Sequence, residues 1–425
     1  MAEQRQSLTR LENGLTVVSA EIPHAASVSL GVWVAVGSRH ESAAQNGAAH
    51  FIEHMLFKGT RNRDARQIVG DVEGLGGYLN AYTSEDHTCY YARARADKWR
   101  TLLDVLWDMF EGATFPAGEL RREREVIKEE RAMYLDDPHY FGQEILGLAM
   151  WPDHPLGRPI EGTEQTLDSL QRRGLMKFKQ ANYHANNTFI VAAGNLSHAR
   201  LVRALRNRTR SFGPGEMPEF LAAPAPEAKP RIAVRRKDID QTQMALAIRT
   251  CGRDDRRRSA VRLLNTLLAE NMSSRLYQVL RERHGLAYSV NSTPSTFADT
   301  GDITITAGVD SDRFHRVLEL LQRELRKLRS RAPSQAELRQ ARDYVLGQFD
   351  IHLESNENYM TWLGESVVGT GQLVEPAAVK RRLSRVTAAE VHAAAKDFLR
   401  PGNFTLAVVT PRKGEKHLDR FLALS

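Results

Sequence analysis

Apolar residues recur along this chain with two different periods. Ser27 to Val36 (SVSLGVWVAV), Thr88 to Arg95, Thr188 to Ala193 and Asp302 to Gly308 are short runs rich in β-branched and other apolar residues, which predicts strands. Ala96 to Glu111 and Asp312 to Leu328 place apolar residues three and four positions apart, which predicts amphipathic helices. Strands with short connections, followed by long helices, point to an α+β layer structure with largely antiparallel sheets.

The pattern breaks between Ser211 and Pro230 (SFGPGEMPEFLAAPAPEAKP), where five of the 16 prolines fall. Such a segment runs extended and outside a sheet interior. It divides the chain into residues 1–212, a linker at 213–230, and residues 231–425. The two parts repeat one another in order. Asp97-Lys-Trp-Arg-Thr-Leu-Leu-Asp-Val-Leu106 parallels Asp312-Arg-Phe-His-Arg-Val-Leu-Glu-Leu-Leu321. Pro116 and Glu119-Leu-Arg parallel Pro333 and Glu337-Leu-Arg, and Gly74-Leu-Gly-Gly-Tyr78 parallels Gly285-Leu-Ala-Tyr288. Two homologous domains from a duplicated unit are expected, and 425 residues is ample for two cores.

Composition narrows the class. A hydrophobic content of 42% with 26% charged residues describes a soluble globular protein. The net charge of +7 raises nucleic acid as a partner, yet the basic residues are interspersed with acidic ones and form no aromatic-interleaved stripe. No nucleic-acid partner is expected. No run of 18 apolar residues and no secretory signal is present, so neither a membrane span nor export is expected. Cys89 and Cys251 are the only cysteines, which fits a reducing compartment and a cytoplasmic location.

The chemistry is concentrated in His50-Phe-Ile-Glu53-His54. On a helix the two histidines lie one turn apart on one face and can share a metal ion, with Glu53 beside them. With 14 His in the chain, roughly a few hundredths of such a match is expected by chance. The string inverts the zinc-protease motif His-Glu-x-x-His. The competing reading is a pair of core histidines satisfied by hydrogen bonds. A catalytic zinc needs a third protein ligand and one open position. The candidate run is Glu119 to Met133, a predicted helix bounded by Pro116 and by Asp137-Pro138, with Glu123 and Glu130 seven apart on one face. Val126, Ile127 and Met133 near that face would turn it inward; a solvated helix laced with Glu–Arg pairs is the alternative.

These residues resemble the pitrilysin-type (inverzincin) zinc metallopeptidases, in particular the shorter-chain subgroup similar to the mitochondrial processing peptidase catalytic subunit and bacterial processing-protease-like peptidases. In that family the third ligand lies 76 residues beyond the second histidine, which is Glu130 here, and a further glutamate lies seven residues earlier, at Glu123. The resemblance implies one Zn²⁺ per chain on His50, His54 and Glu130, with Glu53 as general base and Glu123 supporting the ligands. It implies that Arg281 and Tyr288 reach the peptide and its oxyanion, and that Asn80, Ala81 and Tyr82 form an edge strand that pairs with an extended peptide substrate. It also implies two α+β domains closing like a clamshell, peptide-bond hydrolysis inside the chamber, and dimers. A homodimer is expected because both motifs are present, with a heteromer of related chains as the other possibility. The second half lacks the motif, with Ala341 and Gln348 in place of Glu123 and Glu130. A non-catalytic, peptide-binding subunit is the alternative function. The physiological substrate is left open.

Overall fold

The computed structural model describes residues 5–413, 415 and 417–424. The first half runs β1 (Arg5–Arg10), β2 (Thr16–Glu21), β3 (Ser27–Val34), α1 (Ala48–Leu56), α2 (Ala65–Glu73), β4 (Tyr78–Thr83), β5 (Thr88–Arg95), α3 (Trp99–Gly112), α4 (Ala117–Asp136), α5 (Pro138–Met150), α6 (Glu164–Ser169), α7 (Arg172–Asn182), β6 (Thr188–Gly194) and α8 (His198–Arg208). The second half runs β7 (Arg231–Arg236), β8 (Thr242–Cys251), α9 (Arg258–Asn265), β9 (Ala287–Thr296), β10 (Thr300–Val309), α10 (Phe314–Ser330), α11 (Gln335–His352), α12 (Asn356–Thr370), α13 (Pro376–Arg385), α14 (Ala388–Phe398), β11 (Phe404–Thr410) and α15 (Asp419–Leu422). The strands and helices expected from the apolar pattern are all present, with ends shifted by a few residues.

The duplication is visible in the strand order. One sheet is β1-β2-β6-β3-β5-β4 and the other is β7-β11-β8-β10-β9. Leaving β1 aside, each sheet has one parallel pair (β2 with β6, β7 with β11), and every other pairing is antiparallel. β4 and β9 are edge strands at equivalent places, each following one of the glycine-containing turns that the sequence aligned.

The compact units do not follow the linear division at the proline-rich segment. One consists of residues 1–131, 159–221 and 349–376; the other of 132–158, 222–348 and 377–425. The reason is a reciprocal exchange of equivalent helices. Within the first unit, α12 from the second half lies on β2, β3 and β6; within the second, α5 from the first half lies on β7, β8 and β11. β3 is apolar almost throughout because both faces are covered. Val28, Leu30, Val32 and Val34 face one core, while Trp33 faces Tyr359, Met360, Leu363 and Val367 of α12. The indole lies so close to Gly364 that a Cβ there would come within 2.2 Å of it. In the second unit, Ala245, Ala247 and Ala407 leave room for Ile145, Leu146 and Met150 of α5.

The linker is extended, as expected, but held down. Leu221 O accepts from Arg39 Nη2 at 3.0 Å and Phe220 lies 4.0 Å from the Arg39 guanidinium, within the first unit. In the second, Ala223 N donates to Asp299 and Arg249 donates to Pro224 O. Cys89 and Cys251 are buried free thiols. No helix among the described residues is long and apolar enough to cross a membrane.

Candidate metal centre

The His50–His54 segment folds as α1, and its helical form follows from its surroundings. Phe51, Ile52, Met55 and Leu56 are fully buried, so the helix is driven by packing. Its N-terminus starts at Gly47, in the left-handed region at φ 94, which offers no side-chain cap. The cap comes from upstream. The buried Glu41 carboxylate accepts the N–H of Gly47 at 2.8 Å and that of Ala49 at 2.7 Å, so a charged acceptor sits at the positive end of the helix.

α4 supplies the third candidate ligand, Glu130. Leu120, Glu123 and Ile127 form its buried stripe. The expectation that Val126 and Met133 turn this face inward is corrected: they are 49% and 60% exposed. Both point roughly 80–100° around the helix from the centre of a stripe that steps from 120 through 123 and 127 to 130, and only Ile127 of the three shares it. Glu123 and Glu130 therefore face α1 for a reason other than the one anticipated. A short β-bridge from Thr60 to Ala113 draws the segment after α1 to the segment before α4. Arg124 holds α4 from its other side, donating to Leu167 O and Leu170 O.

The three expected ligands converge. Glu130 Oε2 lies 3.8 Å from His50 Nε2 and 3.6 Å from His54 Nε2, and the donor atoms of the three residues all fall within 4.8 Å of one another. Two donors bound tetrahedrally at zinc distances would stand roughly 3.4 Å apart, so two imidazole nitrogens and one carboxylate oxygen at these spacings fit zinc. Three protein donors also leave a fourth position for water or substrate.

The support around the ligands is specific. His54 Nδ1–H donates to Glu123 Oε2 at 3.1 Å, which fixes the tautomer that presents Nε2 inward. Lys58 Nζ lies 2.7 Å from the other Glu123 oxygen. Burial favours neutral Glu123, but hydrogen bonds from His54 and Lys58 outweigh it and hold the carboxyl below its usual range. Burial also opposes charge on His54, yet hydrogen bonds to Glu123 and Glu130 hold the imidazole up at about 9, while burial and the neighbouring His54 push His50 down to about 4. A proton on His54 and a divalent cation are alternatives at this centre, so metal binding is expected to release a proton. Glu53 shares α1 with the histidines. Burial raises its pKa, and Thr83 Oγ1 donates to its Oε2 at 2.6 Å.

β4, with Asn80, Ala81 and Tyr82, is an edge strand as expected. Asn80 Oδ1 accepts the Ala81 N–H at 2.9 Å, and Thr83 ends the strand at Glu53. Arg281 and Tyr288 belong to the second unit. There they lie together, with the guanidinium 5.4 Å from the Tyr288 ring and 5.0 Å from that of Tyr277, and Tyr288 is 80% exposed. Lys58, Thr83 and Glu41 carry no role in the sequence reading. Lys58 had a local signal, being four residues past His54 and so on the same side of the chain; the other two are linked to α1 only through the fold.

Comparison with known proteins agrees with this architecture. Residues 16–164 match the family model described as insulinase (peptidase family M16), and residues 169–345 match the peptidase M16 inactive domain. The chain is 34% identical to an uncharacterized zinc protease of Mycobacterium leprae, covering 98% of this chain and 94% of that one. It is 33% identical to an uncharacterized zinc protease of Bacillus subtilis, covering 95% and 97%. Among solved structures, a protease from Helicobacter pylori superposes with a TM-score of 0.90 at 22% identity, covering 96% of this chain and all of that one. A Pseudomonas fluorescens structure described as a peptidase M16 inactive domain superposes at 0.89, also at 22% identity, covering 97% and 99%. The chain belongs to peptidase family M16. The stretch matched to the inactive domain includes Ala341, which stands where the first half has Glu123.

Proposed function

We propose that this protein is a zinc-dependent endopeptidase that hydrolyses extended, unfolded peptides, with His50, His54 and Glu130 holding the metal. The reading is carried by the convergence of those three donors beside a half-buried carboxylate, Glu53, that is outside the ligand set. Bound zinc supplies positive charge that acidifies water and polarises the peptide carbonyl. Glu53 takes the proton of the attacking water and returns it to the leaving amine nitrogen as the C–N bond breaks. Its burial suits this double task, because a raised pKa makes the protonated form accessible. Glu123 orients His54, and Lys58 holds Glu123 charged.

The peptide adds to the free edge of β4, where its main chain displaces the Asn80 side chain from the Ala81 N–H. We propose that Arg281 and Tyr288 donate to the peptide and to the oxyanion, since a guanidinium and a phenol suit developing negative charge. Because one chain carries both sets of residues, we propose a homodimer of self-sufficient subunits.

The test is hydrolysis of a quenched fluorescent peptide together with metal analysis. About one zinc per chain is expected, with activity abolished by chelator and restored by zinc. Glu53→Gln is expected to retain zinc while kcat falls by about 10²–10⁴-fold. Full turnover by that variant, or hydrolysis indifferent to chelator, refutes the proposal.

A further inference from the structure

We propose that Thr83 is a positioning residue for peptide hydrolysis: its hydroxyl sets the Glu53 carboxylate in fixed relation to the edge strand β4. The inference rests on Glu53 being the base and adds a residue to that reading.

A glutamate side chain ends in a torsion with broad, roughly two-fold preference, so a carboxylate without a partner rotates between orientations of similar energy. Among the described residues, Thr83 is the one hydrogen-bond donor to the Glu53 carboxylate, and it takes Oε2 at 2.6 Å, the short separation of a charge-assisted bond. With Oε2 held, the proton-accepting work falls to Oε1. Thr83 is also the last residue of β4, and its partner across the ladder is Thr88. Thr88 cannot substitute, because its hydroxyl is committed to Val36 O at 2.9 Å. One bond therefore joins the strand whose edge takes the peptide to the group that activates water. A peptide that docks in register on β4 has its scissile carbonyl placed relative to a base whose orientation that same strand dictates. Errors of about 1 Å in such placement cost on the order of 10²-fold in rate.

The decisive substitution is Thr83→Val, which keeps size and β-branching while removing the hydroxyl. We expect kcat to fall roughly 10–100-fold with KM within about two-fold of the parent and zinc content unchanged. Thr83→Ser, which restores the hydroxyl, should recover kcat to within about three-fold. The double variant Thr83→Val with Glu53→Gln should be no slower than Glu53→Gln alone, since a residue that acts through Glu53 has nothing left to orient. Loss of zinc, a rise in KM with kcat preserved, or additive losses in the double variant would assign Thr83 a purely structural role and overturn the proposal. Should valine lower the melting temperature, Thr83→Ala and Thr83→Ser decide the matter by the same kcat comparison. The two readings fail separately. If Glu53→Gln is fully active, the base assignment falls; if Glu53→Gln is inactive while Thr83→Val matches the parent, the Thr83 proposal alone is wrong.

Discussion

Lys58 illustrates what a single side chain adds to a centre whose candidate ligands already converge. Its ammonium lies 2.7 Å from Glu123, whose other oxygen accepts from His54. Removing it leaves a nearly buried carboxylate without its cationic partner, and the grip on the His54 tautomer loosens with it. We expect Lys58→Met to weaken zinc binding by about 10–100-fold, measured by competition with a chelating dye, and Lys58→Arg to retain most of the affinity. Equal affinity in all three proteins would show that Glu123 needs no such partner. At this scale the sequence was informative about residues sharing one element. His50, Glu53 and His54 are tied by helical spacing, and Glu123 to Glu130 by two turns of α4. It assigned no role to Lys58 or Thr83, whose partners Glu123 and Glu53 lie on other elements. It misjudged Val126 and Met133, because a seven-residue spacing locates a shared face without saying which neighbouring positions complete the buried stripe.

Helix α1 is capped by a carboxylate outside the helix, and this makes a prediction at the scale of the element. Glu41 is buried, 3% exposed, and receives two main-chain N–H groups of the first turn. Glu41→Ala leaves those donors without this acceptor, at a cost of about 1–3 kcal/mol. The denaturant midpoint should fall, as chemical unfolding followed by circular dichroism would reveal; an unmoved midpoint would show that another group or water replaces the carboxylate. Periodicity located the strands and long helices of both halves because burial of one or both faces writes itself into the apolar pattern. The cap left no such mark. Glu41 lies outside the usual capping position, and only the loop from 41 to 47 brings it back to the helix start.

At the scale of the molecule, the exchange of α5 and α12 makes each unit depend on a segment from the other half of the sequence. A fragment of residues 1–212 lacks α12, so Trp33, Phe189 and Val191 lose the apolar side chains that cover them. We predict that this fragment alone binds the dye ANS and melts without the cooperativity of the full chain. A sharp, native-like transition in the isolated fragment would refute the dependence. The proline-rich segment marks a true change in the chain's course, but the linear boundary drawn there misses two crossings. Nothing in α5 or α12 as sequences names the sheet each covers: an apolar helix face is complementary to either of two sheets built on the same plan.

The amino-acid sequence by itself determined the α+β class and the duplication, and it pointed to the proposed metal ligands and the proposed general base, because each is written in local spacing, in ordered repetition or in a family pattern that spans the chain. Tertiary structure decided which helix covers which sheet, what caps α1, and which side chains hold Glu53 and Glu123. Those choices depend on groups brought within about 3 Å of one another from distant segments, and hydrogen bonds of that reach leave no periodic trace in the order of residues.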